Sequence, residues 1–269
     1  MAFTETAYAK LNLALHVRRR REDGYHELET LFAFVDDGDR LSASPASQDV
    51  VHVHGEFAGG LDPFGNSVAK ALTRLRHVPG WSVQLDKRLP VAAGLGGGSA
   101  DAGAIFRMVR RWGSLPENWR AIAAALGADV PACVDSVACL GTGTGTDLAP
   151  VDYDLAGTPV LLVNPRLPLS TGPVFAGWDG VDRGALPAGP ASVIARDGRN
   201  DLEPSALALC PAIGEVLAAL RASDAWLVRM SGSGATCFAL YEDLAARDRA
   251  AAAVAHSWPA WWTLSGALR

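Results

Sequence analysis

The 269-residue chain holds only four cysteines, Cys133, Cys139, Cys210 and Cys237, and none stands in a Cys-x-x-Cys pair. That excludes a disulfide-stapled scaffold, and reduced thiols in a cytoplasmic protein are expected. Long apolar runs are also missing. Stretches such as Val160-Leu161-Leu162-Val163 are far too short to span a bilayer, and the amino terminus shows no signal-peptide pattern. Positive charge is not in excess: 24 Lys and Arg stand against 29 Asp and Glu, a net charge of -5. Nothing in that balance asks for a nucleic acid as main partner. The chain lacks the Gly-Lys-Ser/Thr that ends a Walker loop. It also lacks the acid that follows a dinucleotide-binding loop about 20 residues on, where Ser114 and Leu115 stand instead. His52 and His54 share one strand face without a third ligand nearby in sequence, so no metal site is expected there.

What is present suits a packed globular protein of one large domain or two intimate ones. Hydrophobic residues make up 49% and charged residues 20%, enough for a sizeable core. Residues 7 to 17 alternate, with Leu11, Leu13, Leu15 and Val17 on one side and Tyr8, Lys10, Asn12 and His16 on the other. Period two predicts a half-buried strand with Lys10 and Asn12 on the same face. Residues 51–54 and 81–85 read as further strands. Helices are predicted over 102–112, from about 116 to 126, over 206–220 and over 244–255. The Pro- and Gly-rich stretch 164–200 reads as irregular connection. Strands over 227–230 and 237–240 flank a Gly/Ser loop. Helices and strands mix without βαβ alternation, so an α+β fold is expected.

The strongest local feature is Pro90-Val91-Ala92-Ala93-Gly94-Leu95-Gly96-Gly97-Gly98-Ser99-Ala100. Four glycines in five positions let the backbone turn its N–H groups toward one point. A helix follows, and its free N–H groups and dipole favour an anion. Ser99 can cap that helix or meet a phosphate or a metal. The same composition also fits a flexible turn before an ordinary helix. Farther on, Gly127-Ala128-Asp129-Val130-Pro131 sets a carboxylate between two helices. Asp129 reads either as a helix N-cap, with Pro131 in the first turn, or as a base for an attacking hydroxyl. Spacing alone does not join it to Lys10.

Several segments, taken in order, resemble a known family. The glycine loop is similar to the phosphate loop of the GHMP kinases. Ala9-Lys10-Leu11-Asn12-Leu13, Asp23-Gly24-Tyr25-His26, Gly127-Ala128-Asp129-Val130-Pro131, Asn200-Asp201-Leu202-Glu203-Pro204 and Met230-Ser231-Gly232-Ser233-Gly234-Ala235 resemble motifs of the 4-diphosphocytidyl-2-C-methyl-D-erythritol kinases within that group. The resemblance runs over about residues 7 to 240, nearly the whole chain. It implies a two-lobed α+β fold, with a ribosomal-protein-S5-like ATP-binding lobe over residues 1–150 and an α/β-sandwich lobe over 151–269. It implies ATP, with a magnesium ion, as phosphoryl donor. The implied reaction is phosphorylation of the 2-hydroxyl of the cytidyl substrate, a step of the non-mevalonate route to isoprenoids. ATP and acceptor would meet in the cleft between the lobes.

By the same resemblance Asp129 is the base and Lys10 its partner. Residues 90 to 100 cradle the ATP phosphates, Tyr25 and His26 recognise the cytosine, and Asn12 contacts the acceptor. Ser231, Gly232, Ser233 and Gly234 would close the phosphate side. Neither the magnesium ligands nor the oligomeric state follow from it. There are departures: Ala100 stands where a second serine is frequent, Ala93 where glycine is frequent, and Ala235-Thr236 replaces a common Ser-Ala.

Three other readings share part of this pattern. A sibling kinase for mevalonate, homoserine or a sugar would keep the loop without the Tyr25-His26 pair. A catalytically silent nucleotide-binding regulator would lose Lys10 or Asp129. An RNA-binding module fits the amino-terminal lobe but not the acidic charge. Arg18-Arg19-Arg20-Arg21 reads as a solvated turn, and Gly141 to Thr146 as a turn at a strand edge.

Overall fold

The computed structural model describes residues 3–59, 61–62, 65–75 and 79–269. In chain order the elements are β1 (Phe3–Arg20), β2 (His26–Ala46), β3 (Val50–His54), α1 (Ser67–Leu75), β4 (Gly80–Asp86), α2 (Gly97–Trp112), α3 (Trp119–Leu126), α4 (Val130–Asp135), β5 (Cys139–Thr142), β6 (Asp147–Pro150), β7 (Pro159–Asn164), α5 (Thr171–Ala176), α6 (Ala191–Asp197), α7 (Glu203–Leu209), α8 (Ala212–Arg221), β8 (Leu227–Met230), β9 (Cys237–Leu240), α9 (Leu244–Ser257) and β10 (Trp262–Ala267). The α+β class is the one expected. The chain forms two units, and the residues of β1 and β2 are divided between them.

One unit comprises Met1–Lys10, Asp37–Val91 and Gly96–Val137. In it β4 pairs antiparallel with β2, from Arg40 opposite Asp86 to Ala46 opposite Gly80. On its other edge β4 pairs parallel with β3, and α1 lies on the crossover joining them. That helix buries Val68, Ala71, Leu72 and Leu75, the i, i+3, i+4, i+7 stripe of an amphipathic helix. The α2 helix buries most of its length, including Ile105, Phe106 and Met108. Phe106 is fully buried, and its replacement by alanine would cost about 3–5 kcal/mol. At Gly103 an added Cβ would lie 2.4 Å from the carbonyl oxygen of Cys133. Glycine is thus what lets α4 lie against the backbone of α2. Arg107 secures that contact, donating to the Cys133 carbonyl at 2.7 Å, to Ser136 Oγ at 3.0 Å and to Glu5 of β1 at 2.9 Å.

The other unit comprises Leu11–Asp36, Ala92–Leu95 and Ala138–Arg269. Its four-stranded antiparallel sheet runs β10-β7-β9-β8. The strand β7 is buried along its whole length, which explains its unbroken apolar sequence. Leu161, Val163, Cys237 and Ala239 pack with Ile213, Val216, Leu217 and Leu220 of α8 in one core. The first half of β2 pairs with β5, and β5 with β6 through a short hairpin. Gly143 and Gly145 in that turn have φ of 67° and 98°, so residues 141–146 form the expected turn. The residue-150 boundary lies inside this unit.

Several expectations change in physical detail. β1 is not half-buried: Lys10, Asn12 and His16 are buried as well as the leucines. Each polar group on that face has a protein partner, which offsets its loss of water. The α2 helix begins at Gly97, five residues before the predicted start, with Gly96 as its cap. The glycines that argued for a loop form its first turn, and Ser99 lies inside the helix instead of capping it. Residues 164–200 are not wholly irregular, since α5 and α6 form there. The helix expected over 206–220 is two, α7 and α8, because Pro211 has no N–H to continue the first. Arg18 to Arg20 close β1 and do not form a turn; Arg18 bonds Asp182 at 2.9 Å. Trp258 stacks on Trp261 at 4.6 Å, while Trp262 is buried. The four cysteines are free thiols. Among the described residues no helix is long and apolar enough to cross a membrane.

Candidate active site

In the first unit Lys10 Nζ lies 2.9 Å from Asp129 Oδ2. Lys10 is 3% exposed, while the Asp129 side chain keeps 31% of its surface. The carboxylate is therefore held on one side and reachable on the other. Asp129 occupies the N-cap position of α4, with Pro131 in the first turn, but its side chain makes no cap bond. It turns to Lys10 instead. The Gly103–Cys133 contact fixes α4 on α2 and thereby fixes where Asp129 stands.

Gly96 packs over this pair. An added Cβ there would sit 3.0 Å from Lys10 Cε and 3.6 Å from Asp129 Oδ2, and its φ is 60°. Both the left-handed backbone and the lack of space require glycine. Ala100 N–H donates to the Gly96 carbonyl at 2.8 Å. The N–H groups of Gly97, Gly98 and Ser99 precede the first intrahelical bond, which leaves the start of α2 an anion-favouring end. Beside it, an added Cβ at Gly127 would lie 3.7 Å from Ser99 Oγ, so the Ser99 hydroxyl stands next to the segment that carries Asp129. Ala100 itself is buried, as are Pro90 and Leu95, whereas Val91 is exposed.

A second lysine lies under the same helix. Lys87 Nζ bonds Asp101 Oδ2 at 2.8 Å and also the carboxylate of Asp39. Asp39 Oδ1 accepts from the backbone N–H of Arg88 and Leu89 at 2.6 and 2.7 Å. All three ionic groups are buried. Burial pushes the pKa of Asp101 up to about 7; the Lys87 charge pulls it down and the Asp39 charge pushes it up. The pKa of Lys87 is raised, because the two carboxylates outweigh burial. An added Cβ at Gly97 would meet Lys87 Nζ at 3.1 Å. This cluster, spread over 62 positions, has no sequence signal.

In the second unit Ala92 to Leu95 are sewn to the turn between β8 and β9. Ser231 Oγ donates to the Gly94 carbonyl at 2.8 Å, and Thr236 N–H donates to Ala93 at 3.1 Å. An added Cβ at Gly94 would lie 2.2 Å from the Ser231 carbonyl. Gly232 and Gly234 have φ of 57° and 86°; Ser233 Oγ meets Thr171 Oγ1 at 3.0 Å. Asn200 Nδ2 holds the turn by donating to the Met230 and Gly232 carbonyls, both at 2.8 Å. Asn12 joins this network: its N–H donates to Ser231 Oγ at 3.2 Å and its Nδ2 to Thr30 Oγ1 at 2.7 Å.

Tyr25 and His26 belong to the same unit but not to that network. The turn from Arg21 to Tyr25 is closed by Arg21 N–H donating to the Tyr25 carbonyl at 2.8 Å, with Gly24 at φ 84°. It presents Tyr25 at 64% exposure. His26 opens β2 at 7% exposure. Its ring lies 5.1 Å from that of Phe175 and 5.7 Å, edge to face, from that of Trp178. Sequence reasoning missed both aromatics, since no local pattern links Phe175 of α5 or Trp178 just after it to His26. Burial first, then the Arg20 charge, hold the His26 pKa below the ordinary imidazole value. His26, Phe175 and Trp178 thus form a small aromatic cluster, with the exposed Tyr25 ring one residue before His26 in the chain.

The structure thus brings Lys10, Asp129, Gly96 and Ser99 together, and separately Asn12, Gly94 and Ser231 to Gly234. Among the described residues no group of three or more His, Cys, Asp or Glu side chains forms a metal cluster.

Known proteins match the whole of this frame. The chain matches the family models described as the GHMP kinases N terminal domain, over residues 66–139, and GHMP kinases C terminal, over residues 187–260. A 4-diphosphocytidyl-2-C-methyl-D-erythritol kinase from Novosphingobium aromaticivorans is 68% identical, over 100% of this chain and 94% of its own. One from Erythrobacter litoralis is 59% identical over 99% of each chain. A crystal structure of a 4-(cytidine 5'-diphospho)-2C-methyl-D-erythritol kinase superposes with a TM-score of 0.82 at 34% identity, covering 99% of both chains. A homoserine kinase from Cytophaga hutchinsonii shares the fold, with a TM-score of 0.74 at 19% identity over 99% of this chain and 95% of its own.

Proposed function

This chain belongs to the 4-diphosphocytidyl-2-C-methyl-D-erythritol kinases of the GHMP kinase family, and from that premise we propose that Lys10 and Asp129 carry its phosphoryl transfer. It is an ATP-dependent kinase of the non-mevalonate isoprenoid pathway. The observation that carries the residue assignment is the Lys10–Asp129 ion pair packed under the Gly96 cap of α2.

In this reading Asp129 accepts the proton of the acceptor's 2-hydroxyl as that oxygen attacks. Lys10 holds the carboxylate in place and offsets charge there. The residues fit a triphosphate: the N–H groups of Gly97, Gly98 and Ser99 converge at a helix start, and any side chain at Gly96 would crowd the catalytic pair. Pro90, Val91, Ala92, Ala93, Gly94, Leu95 and Ala100 shape the rest of the phosphate loop. ATP supplies the transferable phosphoryl group when bound. The protein's part is to position and to balance charge, which is most of what this chemistry needs. A magnesium ion accompanying the nucleotide would offset phosphate charge, and the Ser99 hydroxyl at the start of α2 would be the nearest side-chain oxygen of the loop to hold it.

Tyr25 and His26 take the cytosine, with Phe175 as a further aromatic surface. Asn12 orients the acceptor, and the turn Ser231-Gly232-Ser233-Gly234 serves the phosphate side. We further assign the ATP-binding lobe to residues 1–150 and the second lobe to 151–269. The working environment is the cytoplasm, with a small cytidyl substrate as partner and neither nucleic acid nor membrane. A coupled assay with the cytidyl acceptor beside mevalonate, homoserine and galactose tests the substrate assignment. Turnover is expected with the cytidyl acceptor alone; turnover confined to another acceptor would refute it.

A further inference from the structure

Arg20 stands beside His26 without belonging to the proposed chemistry. Its Nε donates to His26 Nε2 at 3.4 Å, and its NH2 group donates to the Ala176 carbonyl at 3.2 Å. Ala176 ends α5, directly after Phe175. One guanidinium therefore joins the imidazole to the backbone that carries the aromatic wall. Arginine is always the donor in such a contact. His26 Nε2 must then be the accepting nitrogen, and the neutral ring carries its proton on Nδ1. The donor and acceptor edges of the ring are thereby distinguished, which is what reading a base edge requires.

Resting on the cytosine assignment above, we propose that Arg20 is the positioning residue of the pyrimidine recess, fixing His26 as the Nδ1–H tautomer and tying it to the Phe175–Trp178 wall. The surroundings supply no competing charge. Phe175, Ala176 and Trp178 are uncharged, and on the same strand Glu27 is engaged by Arg19 and Arg21. Burial, and then the Arg20 charge, disfavour a second proton on the ring. Of the four consecutive arginines, this one thus acts on ligand choice, while Arg18 pairs with Asp182 and Glu29.

Nitrogen-15 NMR of the histidines in the full chain, assigned with His26→Asn, reads the tautomer directly. Wild type should show an unprotonated Nε2 at His26. Arg20→Met should lose that signature and raise KM for the cytidyl acceptor about tenfold, with a smaller change in KM for ATP. The increase should grow toward pH 6, because without the neighbouring cation His26 titrates nearer its ordinary value. Arg20→Lys should recover part of the loss, since one amine cannot serve both acceptors. A protonated Nε2 in wild type, or an Arg20→Met protein with wild-type tautomer, pH profile and KM, would overturn the proposal. A third outcome separates premise from inference. If the tautomer depends on Arg20 but neither Arg20→Met nor His26→Asn moves the cytidyl KM, the cytosine assignment fails and takes the specificity role with it.

Discussion

Two buried lysines lie under one glycine turn, and their surroundings differ. Lys10 meets Asp129, whose side chain remains partly open to solvent. Lys87 meets two carboxylates, Asp39 and Asp101, and all three are sealed from water. Gly96 packs on the first group and Gly97 on the second. A carboxylate that keeps an accessible side can exchange a proton with a ligand. A two-to-one cluster without access cannot; it carries an excess negative charge that burial penalises, and Asp101 answers by holding its proton up to about pH 7. The same residue types thus differ in exposure, which suits the first group to the proposed proton transfer and the second to a structural role.

Breaking the proposed catalytic pair should have the largest effect. Lys10→Met should lower kcat about a hundred- to thousandfold, while far-ultraviolet circular dichroism and the melting profile show a folded protein. A loss below tenfold in steady-state kinetics would remove Lys10 from the transfer step.

The second group should respond in stability and with the opposite sign. Unfolded Asp101 ionises near its ordinary value of 3.8, whereas folded Asp101 keeps its proton to about 7. Between those values the folded state binds more protons, so this group's contribution falls as pH rises and is least favourable above pH 7. Asp101→Asn should therefore gain on wild type by about 2–3 kcal/mol of stability between pH 5 and pH 8, measured by urea unfolding. Equal destabilisation at both values would show that Asp101 is needed as a charge.

The smallest expected change sharpens the contrast from above. Gly96→Ala places a Cβ at φ 60° and 3.0 Å from Lys10 Cε. About 1 kcal/mol of stability should be lost to the backbone alone. Turnover should fall more than ATP affinity, because the Lys10–Asp129 pair is what gets displaced.

How far these groups were legible in the sequence follows from their range. The alternation of β1 is local, so the strand was readable, but its coverage on both faces depends on partners such as Asp129 that lie far along the chain. Glycine composition marked the loop before α2, yet intrinsic propensity placed the start of that helix too late, because Gly97 and Gly98 are poor helix formers overridden by packing on Ser67 and Lys87. Asp129 was visible as a cap or a base, with nothing local to decide between the two. Its pairing with Lys10 came from resemblance and is met by the 2.9 Å contact. The Asp39–Lys87–Asp101 cluster and the Phe175–Trp178 wall left no pattern, since each is assembled by tertiary contact from residues with no shared period.

The most direct test of the account is Asp129→Asn, which keeps the shape of the side chain and removes its capacity as a base. Single-turnover transfer to the cytidyl acceptor should slow by about a hundredfold or more, with ATP affinity by calorimetry within about twofold of wild type. Wild-type transfer in this variant would contradict the assignment of Asp129 as the proton acceptor.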